Sequence, residues 1–170
     1  DLMREQQHTL QQLSTLFKGQ SDIVKAVEAL LEEKSALQKK IDKLEGEKVQ
    51  VIREALLQKM QVADGFTWLV EEVEVPNADA LKQLCFDIKG KVGSVAIMLG
   101  AVIGGKPQLA VMFSEDVMTS QKWHAGQWVK EAAKSIRGGG GGQPHFATAG
   151  GSDSNGLSAA LDWGKSQFKA

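Results

Sequence analysis

The chain has 170 residues, 42% of them apolar, with 20 basic and 21 acidic side chains for a net charge of −1. That length suits one domain, or one compact domain with an extended appendage, and the apolar fraction excludes wholesale disorder. A near-neutral balance excludes a strongly basic tail, so contact with nucleic acid must use a local patch. The single Cys85 excludes an internal disulfide framework and a multi-thiolate zinc site, and fits a reducing compartment. The longest apolar run, Val95–Ile103, is too short to cross a membrane as a helix, and no basic, apolar leader can be read at the N-terminus. An opening at Asp1 rather than methionine suggests a piece of something longer.

Composition changes at Asp64-Gly65. Before it there is no proline or tryptophan and only Gly19 and Gly46; after it lie all three prolines, all four tryptophans and the other 16 glycines. The expected division is therefore a helical subdomain over 1–64 and a globular one over 65–170. In the first, Met3, Leu10, Leu13 and Phe17 recur at helical spacing up to Gly19, a helix-ending residue. Ser21 or Asp22 can cap a second helix. Its Ile23, Val27, Leu30, Leu37, Ile41 and Leu44 form a heptad seam with Lys34 in the one gap. Gly46 interrupts the seam, and Val49, Ile52, Leu56, Met60 and Ala63 continue it in shifted register. Unbroken over 21–63, this helix would span roughly 60 Å. An apolar stripe of that length needs a partner, either the first helix folded back on it, the second subdomain or another chain.

The second part alternates between elements. Residues 66–75 are strand-like and end at Pro76. Asn77 can cap a helix with Leu81, Leu84, Cys85 and Ile88 on one face, closed by Gly90. Residues 94–103 and 108–113 flank Gly104-Gly105-Lys106-Pro107 as a hairpin. Ala125, Trp128, Val129, Ala132 and Ile136 mark a helix, five glycines follow, and 145–149 is a short strand. A last helix, capped near Ser154, turns Leu157, Ala160, Leu161, Gly164 and Phe168 inward. The order βαββαβα implies an α+β fold, a mixed sheet with helices packed on it.

The most unusual segment starts at Arg137, continues through Gly138, Gly139, Gly140, Gly141 and Gly142 to Gln143, Pro144, His145 and Phe146, and closes on Gly150-Gly151. Glycine lets main-chain N–H groups approach an anion without a Cβ in the way, at a cost of up to about 1 kcal/mol per residue in regular structure. Lys130, Lys134 and Arg137, at i, i+4 and i+7, form a basic ridge running into the glycines. Composition alone leaves a flexible linker with helix-end cations level with an anion site; the patterned 146–149 and the second glycine pair argue against a plain linker. No Gly-Lys-Ser/Thr follows, and the glycines come after a helix, so this is neither a P-loop nor a dinucleotide fingerprint.

Other candidates are weaker. His8, His124 and His145 are scattered, without the fixed spacing of metal ligands. His124 reads as a surface or helix-start residue, and His145 is better placed to touch a phosphate or base. Cys85 reads as a small core residue. No Gly-x-Ser-x-Gly elbow supports a Ser-His-Asp triad. Trp68 and Trp128 read as core, leaving Trp123 and Trp163 as the exposed pair able to stack on bases.

The glycine run, the proline two residues after it and the Ala-x-Ala-Gly-Gly close at 147–151 resemble the C-terminal domains of alanyl-tRNA synthetases. The globular part of those domains belongs to the DHHA1 family, shared with DHH-type phosphoesterases. The likeness extends to the Leu-rich helical hairpin, Val70-Glu71-Glu72-Val73, the 77–90 helix, 111–113, and Ala125-Gly126-Gln127-Trp128-Val129-Lys130. Two departures stand out: Gln143 where arginine is usual, and His145-Phe146 where an acid and an aliphatic are usual.

The resemblance implies an N-terminal antiparallel helical hairpin followed by a DHHA1-like mixed-sheet domain. It also implies a cytoplasmic class II ligase that activates alanine with ATP and magnesium and esterifies it to its tRNA. The aminoacylation domain and a zinc-containing editing domain would lie elsewhere, and this piece would carry no catalytic centre or cofactor of its own. In such proteins this region is a tRNA-binding appendage that docks on the outer corner of the RNA and helps both centres share it, while its helices can self-associate. The expected tRNA contacts are Lys130, Lys134, Arg137, the Gly138–Gly142 backbone, Gln143 and His145, with Lys106 as an outlier. Two other readings compete. One is the phosphate-binding half of a DHH-type phosphoesterase, although the chain holds no Asp-His-His. The other is a purely structural dimerisation module.

Overall fold

The computed structural model describes residues 2–18 and 22–169. The chain divides between Gly46 and Glu47 into two compact units. The first contains α1 (Leu2–Leu16) and the start of α2 (Ile23–Gln58). Asp22 caps α2 as expected, its carboxylate accepting the Lys25 N–H at 3.1 Å. Gly19 and Ser21, the other expected end and cap, lie outside the described residues. No residue of α1 is buried, and in the described part of this unit only Ala26 is. Val27, Leu30, Leu37, Ile41 and Leu44 of the heptad seam are exposed. Gly46 breaks the hydrophobic register but not the helix, since one glycine costs only about 1 kcal/mol in a long run of good helix formers.

The second unit is a six-stranded sheet in the order β1-β2-β3-β4-β6-β5. Its strands are β1 (Gln61–Ala63), β2 (Phe66–Glu72), β3 (Val95–Ile103), β4 (Lys106–Phe113), β5 (Gly138–Gly142) and β6 (Phe146–Gly151). The β2–β3 pair is parallel and every other pair antiparallel, so the sheet is mixed as expected. α3 (Ala78–Val92) makes the crossover from β2 to β3, with the Asn77 side chain accepting the Ala80 N–H at 2.8 Å. Gly104 and Gly105, at φ +57° and +77°, close the β3–β4 hairpin in the left-handed geometry a tight turn requires. α4 (Glu115–Gln121), α5 (Ala125–Ala133) and α6 (Leu157–Lys169) complete the unit.

Two cores lie on opposite sheet faces. On one, Trp128, Val129, Ala132 and Ile136 from α5 and the turn after it, with Leu157, Ala160, Leu161 and Phe168 from α6, cover Trp68, Met98, Val111, Phe113, Ala147 and Ala149. On the other, Leu81, Leu84, Cys85 and Ile88 of α3, with Leu56 of α2, cover Leu69, Ile97, Leu99, Ala110 and Met112. Cys85 is fully buried, as its place on the apolar face implies, and burial pushes its thiol pKa up to about 12.

Several expectations need correction. Residues 61–63 leave the helical stripe and pair with β2, because the hairpin satisfies more backbone groups than a frayed last turn. α3 runs past Gly90 to Val92 and ends at Gly93, whose φ of +84° suits glycine and whose N–H bonds the Lys89 carbonyl at 2.9 Å. β2 stops at Glu72 rather than Val75. The short α4 has no counterpart in the expected order. The pentaglycine segment is not a loop but a strand.

Candidate nucleic-acid interface

β5 consists of glycine alone, and β6 aligns it. The Gln143 N–H bonds the Phe146 carbonyl at 2.8 Å and closes a two-residue turn. That bond fixes the phase of the ladder, because hydrogen-bonded and non-bonded pairs alternate between antiparallel strands. Gly141 opposite Thr148 and Gly139 opposite Gly150 are therefore the bonded pairs. Gly138, Gly140 and Gly142 turn their N–H and C=O groups away from β6, toward the open edge of the sheet. The main chain thus offers three outward amides, not the five that a free loop would present.

The same alternation decides where glycine is required. A Cβ at Gly140 would lie 2.1 Å from the Thr148 carbonyl oxygen, one at Gly138 2.0 Å from that of Gly150, and one at Gly142 2.6 Å from that of Phe146. Those contacts are far inside van der Waals distance, so β5 sits against β6 only because it has no side chains there. At Gly139 a Cβ would meet nothing within 4 Å, and at Gly141 only the Cε of Lys130, at 4.0 Å. The strand is exposed along most of its length.

α5 delivers the cations. His124 takes its N-cap position, in keeping with its reading as a helix-start residue; its Nδ1 is buried without a hydrogen-bond partner among the described residues. The Ala125 N–H bonds the Pro144 carbonyl at 2.9 Å, tying the start of the helix to the β5–β6 turn. The chain then tightens through Lys134, Ser135 and Ile136, and Arg137 enters β5 at φ +49°. Lys130 is exposed, reaches over Gly141, and has no carboxylate partner among the described residues. Lys134 pairs with Glu131 at 2.6 Å, and the Arg137 Nε lies 3.7 Å from Asp153. Both pairs are on the surface, where such contacts contribute about 0–1 kcal/mol and exchange readily for a phosphate.

The expected residues form a strip rather than a pocket. β5 spans about 14 Å at 3.4 Å per residue, with Arg137 at one end and exposed Gln143 and His145 at the other. Lys130 stands over its middle. Lys106 lies two strands inward, at the β3–β4 turn beyond the Gly138 end, and does not join the strip. Among the described residues no group of three His, Cys, Asp or Glu is gathered as a metal ion would need.

The tryptophan expectation fails. Trp123 packs among Phe66, Phe113, Trp128 and Phe168 at centroid distances of 5.1–5.6 Å, and Trp163 packs on Trp128 at 5.3 Å. Both are partly buried against the core, because tertiary clustering of aromatic rings buries more apolar surface than either ring alone would suggest. Phe86 was missed: it is the only phenylalanine or tryptophan exposed among the described residues. Its sequence signal was the Lys82–Phe86 spacing of four on the flank of α3, outside the buried face.

The DHHA1 domain family matches residues 65–170, and the chain belongs to that family. Its relatives narrow the comparison. It is 37% identical over 157 residues to the alanine–tRNA ligase of Cytophaga hutchinsonii and to that of Bacteroides thetaiotaomicron, covering 92% of this chain and 18% of each relative. It is 34% identical over 165 residues to the alanine–tRNA ligase of Christiangramia forsetii, covering 97% of this chain and 19% of that protein. The chain thus spans about a fifth of the length of the curated relatives it matches. In fold it is similar to the C-Ala domain of Aquifex aeolicus alanyl-tRNA synthetase, with a TM-score of 0.57 at 21% identity, covering 65% of this chain and 98% of that one. Among the described residues no helix is long and apolar enough to cross a membrane.

Proposed function

We propose that this chain is the tRNA-binding appendage of a cytoplasmic alanine–tRNA ligase. It contributes binding and positioning, while alanine activation with ATP and magnesium and zinc-dependent editing belong to other parts of such a ligase. One observation carries the reading: an exposed all-glycine edge strand presents outward amides beside Lys130, which has no carboxylate partner among the described residues. Main-chain N–H groups without neighbouring Cβ atoms donate hydrogen bonds to phosphate oxygens at close range, and a lysine supplies the charge. Lys134 and Arg137 join by leaving their carboxylate partners. Gln143 and His145 extend the strip toward the β5–β6 turn. A folded RNA corner, recognised through its sugar–phosphate surface, suits an extended strip better than a pocket would.

Binding of alanine tRNA measured across a salt series tests this. Affinity falls steeply with salt, and Lys130→Ala weakens binding and lowers the log–log salt slope by roughly 0.7–0.9, the loss of one phosphate contact. An unchanged affinity and slope would remove Lys130 from the interface.

The exposed seam of α2 supports a second role, self-association through the helical unit. Its Leu30, Leu37, Ile41 and Leu44 are each about half exposed, a stripe that a second copy would cover. Sedimentation of the chain at tens of micromolar reports a dimer on this reading; a monomer there removes it.

A further inference from the structure

Residues paired across antiparallel strands share a sheet face. Gly139 and Gly141 of β5, Thr148 and Gly150 of β6, and Gln108 of β4 therefore lie on the same face as Phe146 and Met112, the face that α3 covers further in. α3 packs on β3 and β4, and the outer part of that face is poor in side chains. Thr148 is exposed, and a Cβ at Gly139 would meet nothing within 4 Å; the one side-chain atom that a Cβ at Gly141 would meet, the Lys130 Cε at 4.0 Å, comes from α5, whose core lies on the opposite face.

An aromatic wall stands at the inner margin of this shelf. Phe86, 37% exposed, packs on Phe146 with centroids 5.3 Å apart and 51° between the rings. The Lys82 Nζ lies 5.9 Å from the Phe86 centroid and 5.8 Å from that of Phe146. Lys82 has no carboxylate partner among the described residues, and Lys89 continues the same helix flank about two turns on, one turn beyond Phe86. An exposed ring between cations, opening on a flat strip of peptide planes, matches a planar group carried by a polyanion. It does not match a purely apolar partner, which the two lysines would oppose. By strand geometry Phe146 lies about 8 Å from Gly141, a separation that one nucleotide covers between its base and its phosphate.

We propose that Phe86, backed by Phe146 and Lys82, is a stacking site for one unpaired nucleobase of the RNA whose phosphates follow β5. The site rests on the RNA-binding reading above and adds to it: the phosphate strip supplies salt-dependent affinity, and Phe86 supplies a salt-independent preference for unpaired bases.

The test compares the wild-type chain with Phe86→Ala, Phe86→Leu and Phe86→Trp. The probes are an alanine tRNA transcript and a blunt RNA duplex without unpaired bases, each at low and physiological salt. Phe86 is 37% exposed and packs on Phe146, so alanine and leucine lower the melting temperature by a few degrees; all variants are compared well below the transition, where their circular dichroism spectra match the wild type. Alanine and leucine each weaken tRNA binding about fivefold or more, tryptophan preserves it, the salt slope does not change, and duplex binding matches wild type. Wild-type tRNA affinity in Phe86→Ala, or an equal loss on the duplex, overturns the stacking site. If Lys130→Ala still weakens binding in that case, the phosphate strip stands without it. A wild-type chain with no affinity for tRNA at low salt overturns both.

Discussion

In β3 and β4 every side chain from Val95 to Leu99 and from Leu109 to Phe113 is fully buried, whereas β5, two strands beyond β4, has no side chain to bury. The central strands are held by apolar area removed from water on both faces. The edge strand is held by its ladder to β6 and by an approach so close that Cβ atoms are excluded at alternate positions. Substitutions in the centre should therefore change stability and leave the surface chemistry alone. In β5 the effect of a substitution should depend on which of the two alternating sets of glycines it enters. Even a strand poor in intrinsic preference forms when a partner strand supplies its hydrogen bonds, and what it then offers to solvent is bare main chain.

The largest expected effect is in the centre. Ile97→Ala removes a fully buried side chain from the α3-side core and should lower unfolding free energy by about 2–5 kcal/mol in a urea titration. The affinity of the folded fraction for tRNA should stay the same. A cost well under that range would mean that the two regions are less distinct than their burial implies.

The edge gives the next contrast. Gly140→Ala forces a Cβ toward the Thr148 carbonyl, 2.1 Å away without relaxation. It should cost about 1–3 kcal/mol, as overpacking does. Gly141→Ala, one residue on, meets only the Cε of Lys130 at 4.0 Å. It should change stability by no more than about 0.5 kcal/mol while weakening tRNA binding. Equal stability costs at the two positions would contradict the assigned ladder phase.

The smallest effect at neutral pH concerns Cys85. Its thiol keeps the proton in the folded protein up to about 12, whereas an unfolded thiol releases it near 8.5. Between those values the folded state binds more protons. Stability is therefore unaffected by this group below about pH 8.5 and falls as pH rises from there toward 12. Native protein at pH 8 should resist iodoacetamide, and unfolded protein should react at once.

Much of the sheet unit was legible from the sequence. The Asn77 cap, the hairpin glycines and the apolar faces of α3, α5 and α6 are local signals, and the structure places them as read. β5 was not legible, because glycine has neither strand propensity nor periodicity. Its strand state is imposed by β6, a partner five to thirteen residues away in the ladder. α4 is a single short helix whose only buried residue is Val117, too little to make a pattern. The end of α3 at Gly93 rather than Gly90 depends on a left-handed φ that sequence does not report. At the candidate site the ridge of Lys130, Lys134 and Arg137 could be read from helical spacing. The Lys134–Glu131 pair, three residues apart, was readable in principle, whereas the Arg137–Asp153 contact needs the turn after β6. The Phe86–Phe146 contact joins a helix to a strand sixty residues later, and only the folded chain brings the two rings together.

The central claim is that β5 receives RNA through the amides that β6 leaves free. Hydrogen exchange of the individual glycine amides, followed by NMR with and without alanine tRNA, tests it most directly. The account predicts that free protein protects the Gly139 and Gly141 amides and leaves those of Gly138, Gly140 and Gly142 fast, and that tRNA slows the fast set. Fast amides that stay fast and unshifted in a saturated complex would contradict it.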